Sequence, residues 1–310
     1  MKKTRIVVVG AGIGGLASTL QLAHQGYTVD VFEAHDMPGG KMRTVSSPIG
    51  PIDAGPTVFT LKHVFDNLFK AVDEVIEDHL PLKREPLLAR HFWPDGAVLD
   101  LNSNLDQNYE TIKNFGGLKS AEEFKNFHNL TKNLYESFNL PILNNPSPSV
   151  TNTISKSFKK VWKIIPALLP KRTLAQLVNA HFSDERLRQL FSRYATYVGG
   201  SPFDSPAILS LIWYAESLGV WRIDGGMHKL SQKITELAEK RGARFHFNNT
   251  VSEILVTKEK IQGIRLSNGE EVFCDYVIYN GDPNALFTGL LGKKLNKLIH
   301  RKSVDDRSLS

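Results

Sequence analysis

A glycine-rich segment between two apolar runs constrains the fold of this chain most strongly. The β-branched run at residues 6–9 predicts a strand that is buried on both faces. The sequence GAGIGG follows at 10–15, and apolar residues then recur at helical spacing over 16–23. Residues 27–32 predict a second strand, which ends at Glu33. The pattern predicts the first strand–helix–strand unit of an α/β, Rossmann-like domain.

The glycines are placed where a dinucleotide needs them. We expect Gly10 to allow the tight turn, Gly12 to let the backbone approach a pyrophosphate, and Gly15 to let helix and strand pack closely, with Gly14 also counted among the cofactor-binding residues. Glu33 lies about 20 residues further on, where its carboxylate can accept from ribose hydroxyls. A purely structural glycine-rich turn is the alternative, but strands, helix and acid in register favour a dinucleotide. The acid disfavours a 2′-phosphate, so NAD or FAD is preferred over NADP.

A second phosphate-binding segment is indicated at residues 36–43. It contains a double glycine followed by Lys41 and Arg43, and it supplies free backbone N–H groups and positive charge. The alternative is an ordinary solvated turn. A simple NAD domain does not need such a segment. Residues 53–57 are again small and expose their backbone.

Length and cysteine content limit the classes of protein that fit. At 310 residues the chain can form one large or two ordinary domains. The lone Cys274 excludes an internal disulfide, fits a reducing compartment and is interpreted as a packing residue. No C-x-x-C or H-E-x-x-H pattern supports a metal site, and no run of 18 apolar residues supports a spanning helix.

The net charge of +6 is concentrated in one segment. Between Ser137 and Ser183 there is no acidic residue, and apolar residues including Trp162 alternate with bases. The six bases are Lys156, Lys159, Lys160, Lys163, Lys171 and Arg172. A cationic amphipathic segment is typical of peripheral membrane contact, which we expect through residues 154–172. A solvated helix covering the domain remains open as the alternative, whereas nucleic acid is not expected because no aromatic stacking platform is visible.

Other patterns predict individual elements. Apolar spacing predicts one amphipathic helix over 61–76, and Pro94-Asp95-Gly96 predicts a hairpin turn. Ser120-Ala-Glu-Glu123 is a capping box that predicts a helix start. Asn268-Gly269 predicts a hairpin that joins a strand at 263–266 to a strand at 272–279.

These motifs together are similar to those of the superfamily of flavin-containing amine oxidases and carotenoid desaturases. Within it, the strings GKMR at 40–43, IDAGPTV at 52–58, LARHFWPDG at 88–96 and DGGM at 224–227 resemble the bacterial hydroxyneurosporene (methoxyneurosporene) desaturases, which are 1-hydroxycarotenoid 3,4-desaturases. The resemblance implies FAD as cofactor. It also implies further cofactor-binding residues, which are Ala34, Gly40, Lys41, Arg43, Gly55, Pro56, Thr57 and, through its backbone, Val251.

The resemblance also implies a domain order. Residues 1–60 would form the first part of the FAD-binding domain, 61–220 an inserted α+β substrate and membrane-facing domain, and 221–285 the return into the FAD-binding domain. Members of the family continue well past this length to a last glycine-rich segment. We therefore expect the C-terminal part to be missing, with 286–310 as a tail.

The implied function is FAD-dependent desaturation of a carotenoid, by hydride transfer from an allylic CH₂ to the flavin. No catalytic acid or base can be named, and His91, Asp95, Tyr197 and Asp224 are interpreted as structural. We expect a cytoplasmic protein that is peripheral on the inner face of the cytoplasmic membrane. Three rivals remain: an amine oxidase, a non-catalytic binder of lipid-bearing or prenylated partners, and, least favoured, an NAD-dependent dehydrogenase.

Overall fold

The computed structural model describes residues 3–138, 167, 169, 171–292 and 295. The strands are β1 (Arg5–Val9), β2 (Thr28–Phe32), β3 (Thr44–Val45), β4 (Ile52–Asp53), β5 (Leu82–Arg84), β6 (Leu87–Phe92), β7 (Val98–Asn102), β8 (Trp221–Ile223), β9 (Arg244–His246), β10 (Val251–Thr257), β11 (Lys260–Leu266), β12 (Glu271–Phe273) and β13 (Tyr276–Tyr279). The α-helices are α1 (Ile13–His24), α2 (Lys62–Lys70), α3 (Leu105–Phe138), α4 (Leu174–His181), α5 (Glu185–Ser192), α6 (Leu211–Ser217), α7 (His228–Lys240) and α8 (Pro283–Phe287). Short 3₁₀ helices span Ile76–Asp78, Arg193–Val198 and Ala207–Ser210.

The contacts group the chain into two compact units. The first contains the described residues up to Lys83 and from Trp221 onward, and the second contains those from Arg84 to Val220. In the second unit the backbone N–H of Glu85 donates to the carbonyl of Val220 at 2.9 Å. The two ends of the second unit therefore lie side by side.

Four parallel strands form the central sheet of the first unit, in the order β13–β1–β2–β9. β1 lies between β2 and β13, and its Val7 and Val8 are fully buried, as the all-apolar run predicts. Helix α1 packs on β2 and α7. The predicted strand–helix–strand unit and the α/β class are confirmed. All four strands end at the same edge of the sheet, where α/β domains bind their ligands.

The predicted hairpin around Asn268-Gly269 is correct in its turn but wrong in its second strand. β10, β11 and β12 form an antiparallel sheet, and β12 ends at Phe273. From Tyr276 the chain enters the parallel sheet as β13. The change occurs at Asp275, whose carboxylate accepts from the Arg5 N–H at 2.8 Å while its own N–H donates to the Arg5 carbonyl at 2.9 Å. These long-range bonds turn the chain out of the hairpin.

Cys274 lies at the same change of sheet. Its side chain packs, partly buried, in the core between the two sheets of the first unit. Burial raises the pKa of its thiol, which disfavours the nucleophilic thiolate. This agrees with the interpretation of Cys274 as a packing residue.

The single helix predicted over 61–76 is wrong in its second half. α2 ends at Lys70, Asp73 adopts a φ of 60°, and a 3₁₀ turn begins at Ile76. The carboxylate of Glu74 bonds to Arg241 and His79, each at 2.7 Å. We attribute the break to these tertiary contacts, which a local apolar pattern does not contain. Leu68, Phe69, Val72 and Ile76 of the pattern are core residues, whereas Val64 and Val75 are exposed.

The second unit confirms one hairpin and corrects one helix start. β6 and β7 pair antiparallel, and the Asp95 carboxylate accepts from the Ala97 N–H at 3.0 Å in the predicted turn. A second helical segment of α3 does begin near the predicted start, after the non-helical Gly117 with φ 84°, but the capping-box prediction at Ser120 is wrong because Ser120 lies within that segment. The Ser120 hydroxyl donates to the Gly116 carbonyl instead.

Aromatic residues fill the core of the second unit. Phe124 and Phe127 of α3 are fully buried. They pack with Phe191 and Trp213 at ring-centroid distances of 4.9–6.0 Å. These helices and the β6–β7 hairpin hold the residues of the second unit in place.

Most of the predicted membrane segment, including Lys156, Lys159, Lys160 and Lys163, lies outside the described residues. Within the part of the chain that the structure describes, no helix combines the length and the apolar character needed to cross a bilayer.

Candidate cofactor-binding site

The turn after β1 is built as the sequence predicts. Gly10 has a φ of +97°, which favours glycine, and its N–H donates to the Phe32 carbonyl at 2.8 Å. A Cβ on Gly15 would lie 2.1 Å from the Gly10 carbonyl oxygen. Only glycine fits there, so the start of α1 packs directly on the turn.

The N-terminus of α1 is open to an anion. Its cap residue Gly12 makes no side-chain hydrogen bond, and the first turn contains no acid. Free N–H groups and the helix dipole at such an end attract phosphate. The side chain of Asn280, directly after β13, lies beside this turn: a Cβ on Gly12 would meet its Nδ2 at 2.9 Å, and one on Gly14 its Oδ1 at 2.7 Å. Asn280 is a site residue that the sequence analysis did not assign.

Glu33 lies at the end of β2 next to the glycine turn. Its Oε2 accepts from the Ala11 N–H at 2.7 Å and its Oε1 from the His35 N–H at 3.0 Å. The side chain is buried and held by backbone groups. A carboxylate fixed in this way keeps further lone pairs in one direction for a ribose.

The second glycine segment lies directly against the first. The Gly39 N–H donates to the Ala11 carbonyl at 2.8 Å, and Gly39 bridges to Gly12. Gly39 and Gly40 both adopt positive φ, and a Cβ on Gly40 would lie 3.2 Å from the Gly12 Cα. Lys41 and Arg43 follow on the exposed side. The structure thus brings together two segments that the sequence separates by about 25 residues.

Residues 53–57 join the same group of backbone turns. A Cβ on Gly55 would lie 1.8 Å from the Lys41 carbonyl oxygen, so Gly55 touches the second glycine segment directly. Pro56 and Thr57 continue as exposed chain. The carboxylate of Asp53 accepts from the Met227 N–H at 2.9 Å, which fixes the Gly225-Gly226 turn beside it.

Val251 lies near the end of β2, because the residues just before it are hydrogen-bonded to the chain that follows β2. The Asn249 N–H donates to the Glu33 carbonyl at 2.8 Å, and Asn248 donates to His35 at 2.9 Å. Val251 then begins β10. Ala34 is exposed between these two bonded positions. Glu33, Ala34 and Val251 therefore lie at one end of the group of predicted residues.

Asp30, in the middle of β2, binds the neighbouring strands together and was not predicted. Its side chain is 1% exposed and accepts from Arg5 at 2.9 Å, Arg244 at 2.8 Å and His246 at 3.1 Å. Burial raises the pKa of Asp30, but the hydrogen bonds from Arg244, His246 and Arg5 outweigh it, and the pKa lies below its usual value. The ionised carboxylate joins β1, β2 and β9.

The arrangement fits FAD. At Gly10, Gly12, Gly39, Gly40 and Gly55 the turns pack so closely that a Cβ would contact neighbouring protein atoms, so backbone without side chains is gathered here, and one carboxylate and two exposed cations flank it. Such a surface suits a diphosphate joined to a ribose. Within the described residues, no group of three His, Cys, Asp or Glu side chains could hold a metal ion.

Two of the acid–base candidates, His91 and Tyr197, lie near the same pair of charged residues, Arg193 and Glu216, in the second unit. The hydroxyls of Tyr194 and Tyr197 both donate to the Glu216 carboxylate, and Arg193 pairs with it at 2.7 Å. Burial, and then Glu216, raises the pKa of Tyr197. Burial, and then Arg193, lowers the pKa of His91. The sequence analysis did not assign Glu216, although a single acid in the apolar run 207–218 indicates a buried polar contact.

The other two candidates make local contacts. Asp95 accepts from Ala97 in the hairpin turn, and Asp224 pairs with Lys83 at 2.9 Å and Arg222 at 3.4 Å. Both fit the structural roles that the sequence analysis gave them.

Comparison with known proteins finds relatives over almost the whole chain. Over 306 residues the chain is 44% identical to a hydroxyneurosporene desaturase of Cereibacter sphaeroides, and over 310 residues it is 45% identical to one of Rhodobacter capsulatus. Each match covers 99% of this chain and 62% of the relative. The chain thus spans less than two thirds of the length of these relatives.

A solved putrescine oxidase variant has a similar fold, with a TM-score of 0.62 at 15% identity over 91% of this chain and 59% of that one. The family model described as flavin containing amine oxidoreductase matches residues 13–301. The predicted flavin, FAD, is confirmed at the level of this family. The chain therefore belongs to the flavin containing amine oxidoreductases, on the side of the family that contains carotenoid desaturases.

Proposed function

We propose that this protein binds FAD and desaturates a hydroxylated carotenoid, with a C3–C4 bond of a 1-hydroxycarotenoid as the expected site. The observation that carries the cofactor part is the contact of Gly40 with Gly12, which leaves a surface of bare backbone at the end of β1. The names of the relatives, hydroxyneurosporene desaturases, support the substrate class. Activity and substrate are proposals for the whole protein.

Each part of the site has a defined task toward FAD. The N–H groups at the start of α1 and around Gly39-Gly40 would hold the diphosphate, and Lys41 and Arg43 would add charge. Glu33 would accept from the ribose, and the backbone near Val251 would border the adenine. When bound, the flavin supplies a two-electron acceptor that no side chain can replace.

The protein groups around the substrate would bind it and keep water away. Loss of hydride would leave a delocalised cation that readily releases a proton from the neighbouring carbon, so a strong dedicated base is not required. We assign no catalytic acid or base. We also propose that residues 154–172 contact the inner face of the cytoplasmic membrane, because a carotenoid is stored in the bilayer and that segment is basic and amphipathic. Nucleic acid is not an expected partner.

Simple measurements distinguish the alternative functions from the proposed one. An amine oxidase would reduce its flavin with amines, and a non-catalytic binder of lipid-bearing partners would purify without colour. A dehydrogenase would bind NAD in place of FAD. The second glycine segment at 39–43 argues against the last of these.

The test is a spectrum of the purified 310-residue chain, followed by anaerobic mixing with vesicles that carry hydroxyneurosporene. We expect a bound oxidised flavin whose absorption bleaches with the carotenoid, and no bleaching with putrescine. Bleaching by the amine alone would favour the oxidase. A folded chain that takes up no added FAD would contradict the proposal.

A further inference from the structure

A cleft of ≈ 750 Å³ opens in the second unit between α4, α5 and the 3₁₀ turn at Arg193–Val198. Its wall is apolar at Trp93 and Phe203 and polar along α5. None of the glycine turns lines it, and neither the proposed cofactor site nor the proposed membrane segment includes its lining residues.

Arg188 is a fixed cation in this cleft. Its Nε donates to the Phe182 carbonyl and its Nη2 to the Ser183 carbonyl, both at 2.8 Å. Among the residues that the structure describes, no carboxylate forms an ion pair with it. The other two arginines of the cleft are neutralised, Arg186 by Asp184 and Arg193 by Glu216, each at 2.7 Å.

The charge of Arg188 is therefore held in place and left uncompensated. Glu185 also lines the cleft, one turn earlier on the same helix, but Arg188 is turned away from it toward the two carbonyls. A guanidinium in this state gains most from an anionic oxygen ligand, because its Nη1 hydrogens remain as charged donors. The cleft thus favours an acceptor-rich group over a neutral one.

The apolar wall adds a second requirement. The indole N–H of Trp93 donates to the Gln189 Oε1 at 2.9 Å, which fixes the ring and leaves the Gln189 amide hydrogens as donors. Phe203 stands at the rim with 72% of its surface exposed. An exposed aromatic ring beside a cation is typical of residues that enter a membrane interface.

We propose that this cleft binds the phosphate of a glycerophospholipid while the lipid remains in the bilayer. Arg188 and the Gln189 amide would bind the phosphate oxygens, and Phe203 would enter the acyl boundary. This adds a second membrane contact, in described residues, to the one proposed for 154–172. Different variants test the two contacts.

The experiment is sedimentation of the full chain with vesicles of phosphatidylcholine, with or without phosphatidylglycerol. Arg188→Gln should weaken partition onto the anionic vesicles about fivefold, the value of one base near the surface, and should weaken it less onto phosphatidylcholine alone, whose phosphate is partly neutralised by its choline group. Arg188→Lys should keep most of the binding. Phe203→Ser should weaken partition onto both kinds of vesicle, by roughly tenfold.

Lys119→Gln is the matched control, because Lys119 lies in the same unit with 75% of its side chain exposed. An equal loss with Lys119→Gln would mean a general charge effect and overturn the proposal. Wild-type binding by both Arg188→Gln and Phe203→Ser would also overturn it. If only replacement of Lys156, Lys159, Lys160 and Lys163 by Gln then reduced binding, membrane contact would be confined to the basic segment.

Glycerol 3-phosphate tests whether the cleft binds a soluble phosphate compound instead of a membrane lipid. Thermal stabilisation by this compound that depends on Arg188, without vesicle binding, would assign the cleft to a free phosphate and overturn the lipid proposal. Melting curves of each variant show whether it is folded. If Arg188→Gln melts early, Arg188→Lys and Phe203→Ser decide the outcome.

Discussion

The Asn280 side chain excludes larger residues from the glycine turn, as a bound ligand would. Its side-chain amide occupies the space that a side chain on Gly12 or Gly14 would need. The turn must therefore stay free of side chains for the protein's own packing and for the proposed diphosphate. These two requirements can be separated by mutation.

Replacement of Gly12 by Val should abolish flavin retention, with a loss of affinity of at least about tenfold. The added Cβ would lie 2.9 Å from the Asn280 Nδ2, and the methyl groups would lie where the phosphates approach. Absorption spectra after gel filtration measure the retained flavin. Gly26→Asn is the control, since Gly26 has a φ of +85° with open space around it.

A double variant separates the two effects. Asn280→Ala added to Gly12→Val should relieve the packing clash and raise the melting temperature, but it should not restore flavin. Recovery of flavin by the double variant would mean that Gly12 acts only through packing. An unchanged spectrum of Gly12→Val alone would refute its place at the diphosphate.

The site residues that the sequence predicts correctly are those whose role depends only on their neighbours in the chain. Gly10 and Gly15 need no alignment, because a turn between strand and helix demands them. Asn280 and Asp53 follow no such rule. Their contacts join residues 174 to 270 positions apart, as between Asp53 and Met227 or Asn280 and Gly10, and depend on which strands become neighbours.

At the scale of elements, α3 carries a buried histidine that makes the stability of the second unit depend on pH. His128 is buried, and its Nδ1 has no hydrogen-bond partner among the described residues. Burial, and then Lys132, lowers the pKa of His128 from 6.5 to about 4. The folded state thus keeps this ring neutral.

The sign of the effect follows from proton uptake. Between pH 6.5 and about 4 the unfolded chain binds a proton that the folded chain does not, so stability falls as the pH is lowered. The full effect is about 3 kcal/mol. We expect His128→Gln to remove this slope in urea unfolding across that range. His63→Gln, at an exposed position, should keep it; the same slope in both variants would contradict the assignment.

Local patterns were sufficient for some elements and not for others. The Asp95 turn formed as predicted, because its geometry is set within four residues. The helix over 61–76 and the strand over 272–279 were both interrupted, at Glu74 and Asp275, by polar contacts with distant parts of the chain. Periodicity records which residues are buried, but it does not record where a carboxylate finds its partner.

At the scale of the whole molecule, the second unit begins and ends at one point. Because Glu85 and Val220 are hydrogen-bonded, replacing the residues between them with a short Gly-Ser linker should leave the first unit folded. We expect cooperative unfolding and flavin affinity within about tenfold of the full chain. Circular dichroism and flavin titration measure both. Loss of the flavin with retained folding would show that the second unit is needed to hold it.

The place of β1 between β2 and β13 also has a consequence during synthesis. Tyr276 follows Phe32 by 244 residues, which a ribosome needs roughly 12 to 50 s to add at about 5–20 residues per second. Throughout that interval one edge of an all-apolar strand has no neighbour, while all of the second unit emerges. An open apolar edge recruits other chains, so the nascent protein is at its most aggregation-prone before translation reaches β13, and a chaperone that shields this edge would raise the yield of folded protein.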